Sequence, residues 1–484
     1  MNSLIISGLR LAHRGLRSVG PLPLVTLAAL AAVGLLPAFQ PRFGTTPVVN
    51  LAVVAAIALT LILMTVDRGS GRHRRAAGVI RPTIQLILHL SPVGLLTVIF
   101  PIATERMAHV KIGGTGLTSL LLAASLTVPW LSQVVCLPLY RGLGPLASDG
   151  DCDEMSRRFC ELWPTNLLQS LPVIVPFALL TEVATRWSFA ALATYAAMCA
   201  LNMAFAQSVV PALVRGNVTG KRGLWALAWT SYAAALLAFP TAWYLPPLLG
   251  VASQLLPLRH HLWTRPTSLG GFEVARDFGR GFLLGSVLWA DKLLLFLKAG
   301  NHFPVTTMFM ALLPAILAYS YYFVCLAPQF DQSVRSLRVA MERESYSRLA
   351  LRSRSLASKV ANSISRTAFV GACLAFCVTW IMGEHQPRSV SLATMVALAS
   401  WLFMLNTVLC YKLDYIGQSG LAQALSGVHL LVCVGVFLAF PPGASLYGWL
   451  AVLEMPVFLL TLVSCLQQWR TPEYTLFWRH ATAW

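Results

Sequence analysis

Residues 444–466 read ASLYGWLAVLEMPVFLLTLVSCL, an apolar run that contains a single acidic or basic residue, Glu454. About 20 apolar residues are enough for an α-helix to cross the hydrocarbon layer of a membrane. Backbone polar groups must be satisfied within the spanning structure, so only helices and closed barrels cross a bilayer. A continuous apolar run favours the helix over the short alternating segments of a barrel. This stretch therefore predicts a transmembrane helix.

Similar runs recur along the chain and predict an all-α polytopic membrane protein with about fourteen transmembrane helices. Composition agrees, because the 484 residues are 57% hydrophobic and 11% charged, whereas a soluble domain carries roughly 25% charged residues. The runs lie near residues 21–40, 47–66, 84–103, 116–140, 165–182, 187–213, 224–240, 243–258, 281–297, 304–327, 367–383, 390–411, 417–440 and 444–466.

The Lys and Arg residues are distributed unevenly between the predicted loops. With the N-terminus in the cytoplasm, the cytoplasmic segments carry 29 of the 36 and the outer loops carry six, and Lys292 lies within a predicted helix. This is the asymmetry that the positive-inside rule predicts. It indicates a multi-pass protein of the cytoplasmic (inner) membrane with both termini inside. The net charge of +18 then needs no nucleic-acid partner.

The domain organisation follows from the same runs. Residues 84–258 and 281–484 each contain six, and an even number brings both lobes in from the same side of the membrane, as parallel repeats require. Residues 259–280 form the predicted cytoplasmic linker between the lobes. Residues 1–83 are predicted to add two helices at the N-terminus.

The segment 328–366 is polar and basic. Phe330, Val334 and Leu337 recur every three to four residues, which predicts an amphipathic helix on the cytoplasmic side. Three interpretations stay open: a helical hairpin that extends the tenth run, a helix bound to anionic lipid headgroups, or a docking site for a partner protein. The residues assigned to a basic membrane-surface segment are Arg335, Arg338, Arg343, Arg348, Arg352 and Arg354.

Asp291 and Lys292 are the main functional candidates, because both lie in the middle of the run 281–297. A charge at mid-bilayer costs about 3 kcal/mol even on a lenient insertion scale. Adjacent residues point about 100° apart on a helix, so each is expected to find a partner on another helix or to line a hydrated cavity. The alternative is a buried pair that only holds helices together.

Other polar residues in the runs give weaker signals. Glu454 has apolar neighbours and is a further cavity candidate, whereas His89 is expected to be a hydrogen-bonded histidine of the helix bundle. The cysteines lie mostly in apolar runs and are expected to pack as small hydrophobic residues. Neither metal-ligand spacing nor a nucleotide-binding or nucleophile motif occurs, so we expect no metal, no cofactor and no enzymatic activity.

Several stretches resemble the Pel exopolysaccharide transporters (PelG family). Residues 289–296, Trp-Ala-Asp-Lys-Leu-Leu-Leu-Phe, are similar to the family's WxDKxxFW helix. Residues 248–254 and 308–315 are similar to the helices on either side of it, and Tyr411-Lys412-Leu413-Asp414 resembles a junction before the last two helices. The resemblance extends over residues 84–480. The helices at 21–66 have no counterpart in the twelve-span pattern of the family.

The resemblance implies the multidrug/oligosaccharidyl-lipid/polysaccharide exporter (MOP) fold and transport of a Pel-like exopolysaccharide through a cavity between two lobes. Asp291 and Lys292 would line this cavity, with Gln254 and Trp289 near them. The implied partners are a cytoplasmic glycosyltransferase and other exopolysaccharide-assembly proteins. One alternative is a flippase for a lipid-linked oligosaccharide. Another, from a different class, is a membrane-embedded acyl- or glycosyltransferase.

Overall fold

The structure, a computed structural model, describes residues 77–149, 151–219, 221–387 and 389–481. The predicted helices at 21–66 lie outside the described residues. Contacts divide the chain into two compact units that part between Pro304 and Val305. They are called here the first unit (residues 77–304) and the second unit (residues 305–481).

The first unit consists of helices and one two-stranded antiparallel hairpin, in which Lys111 pairs with Gly116. The predicted run at 84–103 is interrupted at Leu90, and Pro92 stands in the first turn of the helix that follows. The elements are α1 (Ala77–His89), α2 (Ser91–Met107), β1 (Lys111–Ile112), β2 (Thr115–Gly116), α3 (Leu117–Asp149), α4 (Cys152–Ser170), α5 (Ile174–Thr185), α6 (Phe189–Ser208), α7 (Val210–Thr219), α8 (Gly223–Ala238), α9 (Leu245–Leu255) and α10 (Gly271–Ala299).

The second unit consists of helices joined by short turns in its described residues. A π-helical turn, Tyr322–Leu326, joins its first two helices without ending the helical run. The elements are α11 (Val305–Tyr321), α12 (Ala327–Arg343), α13 (Tyr346–His385), α14 (Val390–Tyr415), α15 (Ser419–Ala439), α16 (Ala444–Gln468) and α17 (Pro472–Ala481).

The chain is a multi-pass membrane protein. Within the described residues, eight helical segments are long and apolar enough to cross a bilayer, and two shorter apolar helices accompany them. Large apolar side chains point outward from these helices: Leu431 is 73% exposed and Leu438 is 81% exposed, as lipid-facing residues are. The eight segments are Leu117–Leu146, Cys152–Thr185, Phe189–Gly216, Val305–Met341, Ser347–Glu384, Val390–Tyr415, Ser419–Ala439 and Ala444–Gln468.

Helix α10 packs closely on α3 through two glycines. A Cβ at Gly281 would lie 2.5 Å from the carbonyl oxygen of Gln133, and one at Gly285 would lie 2.8 Å from the Trp130 ring. The Trp130 indole N–H donates to the Phe282 carbonyl oxygen at 2.8 Å. Two small residues four positions apart let membrane helices approach closely in this way. The contacts therefore group α10 with the first unit, whereas the sequence analysis assigned it to the second lobe.

Helices α12 and α13 form a hairpin in the second unit. Phe330, Val334 and Leu337 are buried on α12, as the amphipathic pattern predicted, and Leu356 and Val360 are buried on α13. Because α12 continues the helical run of α11, this arrangement corresponds to the hairpin interpretation of the segment 328–366. Five of the six arginines assigned to this segment have exposed side chains, and the side chain of Arg343 lies outside the described residues: the five are Arg335, Arg338, Arg348, Arg352 and Arg354.

The turn of this hairpin provides a test of the predicted topology. Ser345 is exposed between α12 and α13. In a background without accessible native cysteines, Ser345→Cys is expected to resist a membrane-impermeant thiol reagent in intact cells and to react in opened cells. Immunoblotting with a mass-tagged reagent measures both conditions. Efficient labelling in intact cells would place the hairpin on the outer side and contradict the charge-based topology.

Candidate functional site

Helix α10 carries Asp291 and Lys292, and its ends follow ordinary helix rules. Glu273 lies in its first turn and Lys298 in its last, where their charges are favourable to the helix dipole. Gly300 ends the helix with φ +53°, a conformation that glycine adopts without strain. At the other end, Arg141 of α3 forms ion pairs with Glu273 at 3.1 Å and Asp277 at 3.2 Å. Burial raises the pKa of the Asp277 carboxyl above its usual value, although Arg141 opposes this rise.

Asp291 and Lys292 form an ion pair with each other. The Lys292 Nζ lies 2.9 Å from Asp291 Oδ1, and the two residues are 0% and 1% exposed. The expectation that adjacent residues would not face each other was wrong for this pair, because the four-carbon lysine side chain is long enough to bend back across the 100° between them. Both are buried within the first unit, on the helix that packs closely against α3. Their position on a cavity wall stays a prediction.

The other two candidates of the first unit are placed differently from the ion pair. Trp289 is half-buried, two residues before Asp291 on α10. Gln254 is buried on α9 and donates through Nε2 to the Leu224 carbonyl oxygen of α8 at 3.0 Å. Its amide therefore links two helices of the bundle, which is the common use of a glutamine in a membrane helix.

His89 also has a packing role. Its Nδ1 lies 3.2 Å from the Arg222 guanidinium, and its ring stacks on Trp225 with centroids 5.5 Å apart. The Trp225 indole N–H donates to the His89 carbonyl oxygen at 3.1 Å. These contacts fit the hydrogen-bonded bundle histidine that the sequence analysis expected.

Glu454 belongs to a buried polar network at the contact of α14, α15 and α16. The Asn406 Nδ2 donates to Glu454 Oε1 at 2.9 Å, and His429 Nδ1 lies 2.9 Å from Glu454 Oε2. The other ring nitrogen of His429, Nε2, lies 3.4 Å from Cys433 Sγ. Phe403 packs edge-on against the imidazole, and all five side chains are buried with 0% exposure. Glu454 was a candidate predicted from the sequence, whereas His429 was not.

A buried lysine of the second unit lies near the π-helical turn. Lys412 is 1% exposed, and its Nζ lies 4.0 Å from the centroid of the Phe330 ring and 5.1 Å from that of Tyr322. Such contacts attract a cation to the face of an aromatic ring. Trp469 donates its indole N–H to the Lys412 carbonyl oxygen at 3.3 Å. The π-helical turn supplies Tyr322, and turns of this type occur frequently at functional sites.

An open pocket of about 720 Å³ lies in the first unit at the C-terminal end of α10. Under the predicted topology this is the outer end of the helix. The half-buried Trp187 packs edge-on against Tyr195 and Phe296, with ring centroids 5.9 Å and 6.5 Å away. The residues that line the pocket with a polar side chain or an indole are Thr115, Ser119, Thr185, Arg186, Trp187 and Ser188.

The pocket is built by a close contact between the β1–β2 hairpin and the turn between α5 and α6. Ser188 Oγ donates to the Gly113 carbonyl oxygen at 2.7 Å and accepts from the Ala191 N–H, which caps α6. A Cβ at Gly113 would lie 2.0 Å from Ser188 Oγ, so only glycine fits there. Arg186 has a left-handed backbone, with φ 51° and ψ 46°, which is uncommon outside glycine. The backbone that carries Arg186 and Trp187 thus has a defined turn conformation.

Comparisons with protein-family models, with curated proteins and with solved structures found no match for this chain. The candidate sites therefore depend on the geometry of the chain itself. Among the residues that the structure describes, no group of three His, Cys, Asp or Glu side chains is arranged to hold a metal ion.

Proposed function

We propose that this protein transports an exopolysaccharide across the cytoplasmic membrane. The observation that carries the proposal is the pocket around Trp187, because its lining has the chemistry that binds sugars. The hydroxyls of Thr115, Ser119 and Thr185 can donate to and accept from sugar hydroxyls. The Trp187 indole supplies apolar surface together with an N–H donor, and Arg186 supplies further donors. A mostly preformed cleft with a few converging polar groups is the usual form of a ligand site.

The buried ionisable residues support transport as the activity. Replacing a buried ion pair by apolar residues is often neutral or stabilising. A contribution to protein stability therefore does not explain why an apolar helix contains Asp291 and Lys292. Ionisable residues inside membrane segments usually belong to substrate or ion pathways. Sugar polymers are too polar to cross the hydrocarbon layer unaided, so a protein that exports them needs such a polar pathway.

The membrane-embedded transferase is less favoured. Cys433, His429 and Glu454 present a thiol, a base and a carboxylate in series, an order that occurs in nucleophilic catalysis. All three side chains are buried with 0% exposure among apolar helices. A substrate could not reach the sulfur without opening the helix bundle, so this cluster does not favour a transferase.

Deletion of the gene is expected to abolish one secreted polysaccharide, and expression of the wild-type protein is expected to restore it. Trp187→Ala should restore at most about a tenth of the polymer, which corresponds to about 1.4 kcal/mol of lost binding. Trp263→Ala is the matched control, because Trp263 is 94% exposed and lies outside the pocket. Polymer is measured by composition analysis of the culture medium, with membrane abundance measured in parallel.

The outcomes separate the proposed function from its alternatives. Unchanged secreted polysaccharide after deletion would contradict the proposal. Accumulation of a lipid-linked oligosaccharide in the deletion strain would favour the flippase instead. Full activity of an abundant Trp187→Ala protein would remove the pocket from the transport pathway.

A further inference from the structure

The network around Glu454 is a closed set of titratable groups in the interior of three membrane helices. Glu454 of α16 contacts His429 of α15 and Asn406 of α14, each at 2.9 Å. Each of the three helices contacts the other two. A Glu–His pair at this depth would be replaced without loss by two packed apolar residues if only packing mattered. We propose that Glu454 and His429 form a proton-binding site whose occupancy drives transport by this protein.

The net charge of the Glu454–His429 pair depends on whether the pair holds this proton. With one proton shared between the His429 ring and the Glu454 carboxyl, the pair is neutral overall, whichever of the two carries it. Removal of this proton leaves a carboxylate with no compensating charge on its partner, and a lone buried charge is strongly unfavourable in a medium of low dielectric constant. The closed arrangement therefore favours the protonated pair. The deprotonated pair favours an arrangement that admits water to Glu454.

The composition of the site favours a proton over a hard metal cation. Hard cations require several oxygen ligands in an enclosed shell. The Glu454 carboxylate faces one ring nitrogen and one amide nitrogen, and the ring in turn faces the Cys433 sulfur. Imidazole and carboxylate side chains exchange protons readily, and such pairs form proton relays in membrane transporters.

Other titratable groups lie on the helices that pack around this site. On α14, Cys410 accepts a hydrogen bond from Ser426 of α15 at 3.6 Å and interacts electrostatically with Glu454 and Cys465. Lys412 interacts with Asp331 and with Cys465 of α16. Helices α11 and α13 also pack on α14, and their Tyr321 and Arg366 interact with each other. The groups to be considered in any titration are therefore Cys410, Lys412, Asp414, Asp331, Tyr321, Arg366, Cys433 and Cys465.

Helix α16 contains a feature that can open the site. Pro456 lies inside the helix, two residues after Glu454. Proline has no N–H, so the carbonyl oxygen of Val452, one turn earlier, lacks the usual helical hydrogen bond. Helices bend at such positions. A bend at Pro456 would move Glu454 relative to His429. Protonation of the pair and bending of α16 would therefore be coupled.

The experiment uses the full-length protein in lipid nanodiscs and infrared difference spectroscopy across a pH titration. The protonated pair in the wild-type protein is expected to show either the C=O band of a buried carboxylic acid or the ring bands of an imidazolium, and these bands should disappear as the pH rises. Glu454→Gln should remove the C=O band or shift the pH at which the ring bands disappear, and His429→Gln should remove the ring bands or shift the pH at which the C=O band disappears. Glu384→Gln is the control, because Glu384 is exposed at the end of α13 and its loss should leave these bands unchanged. Gel filtration of each variant establishes that it is folded.

A second measurement tests coupling and rests on the proposed transport function. A protonophore is expected to stop polymer secretion in wild-type cells within the time that the membrane potential and pH gradient collapse, before cellular ATP falls. Polymer secretion that survives the protonophore would overturn the coupling, as would a Glu454→Gln protein that secretes normally. A titrating carboxyl band that persists in Glu454→Gln would overturn the site itself. Failure of the transport function alone, seen as unchanged polymer after gene deletion, would leave the infrared result standing, so the two failures are distinguishable.

Discussion

Asp291→Asn is expected to reduce the amount of folded protein in the membrane severely. The substitution removes the charge that lies 2.9 Å from the Lys292 ammonium, and both residues are buried. Removal of one partner of a buried ion pair costs about 3–5 kcal/mol, because the buried charge that remains loses the interaction that offset its desolvation. Quantitative immunoblotting of washed membranes and gel filtration in detergent measure the loss. A variant as abundant as the wild type would show that water reaches Lys292.

A double substitution separates folding from transport at this pair. Asp291→Leu together with Lys292→Met removes both charges and keeps apolar volume, a change that is often neutral or stabilising. The double variant is therefore expected to regain wild-type abundance and to secrete no polymer. Wild-type secretion by an abundant double variant would show that the pair has a structural role only.

Gly281→Leu is expected to disrupt the packing of α10 on α3 severely. The leucine Cβ would lie 2.5 Å from the Gln133 carbonyl oxygen and 2.7 Å from the Val134 Cα. Both are backbone atoms of α3, so no side-chain rotation relieves the clash and the two helices must separate. Overpacking of a core costs about 1–3 kcal/mol even where side chains can adjust, and more is expected here.

Gly279→Leu is the matched control for this prediction. It lies on the same helix, two residues earlier, and a Cβ there has no neighbour within 4 Å. Its thermal unfolding temperature, followed by intrinsic fluorescence in detergent, should equal that of the wild type, whereas Gly281→Leu should fail to accumulate. Equal stability of the two variants would contradict the close packing of α3 and α10.

The positions of the helices could largely be predicted from the sequence, because a membrane helix is encoded locally by an apolar run. Residues 444–466 predicted a helix that the structure gives as Ala444–Gln468. The burial of Phe330 and Val334 on α12 followed from their spacing in the same way. The number of helices outside the described residues, the two-lobe arrangement and the transported molecule stay predictions.

The partners of the buried polar residues could not be predicted, because they depend on how helices face one another. Asn406, His429 and Glu454 lie in three separate apolar runs, and no pattern in a single sequence shows that their side chains meet. An ionisable residue in the run 417–440 was the available signal for His429. The Asp291–Lys292 pair was missed for another reason: helical geometry describes where Cβ atoms point, and not how far a lysine side chain can reach.

The length of α13 has a practical consequence for imaging this protein. The helix contains 40 residues and is therefore roughly 60 Å long at 1.5 Å per residue. The hydrocarbon layer is only about 30 Å thick, and a bilayer with its headgroups is about 40–45 Å thick, so about a quarter to a third of the rod extends beyond a nanodisc if the helix is upright, next to its hairpin partner α12. Small membrane proteins without such a projection are difficult to align in electron micrographs. Here the α12–α13 hairpin marks one face of the nanodisc, so each particle image should distinguish the face that carries the hairpin from the opposite face.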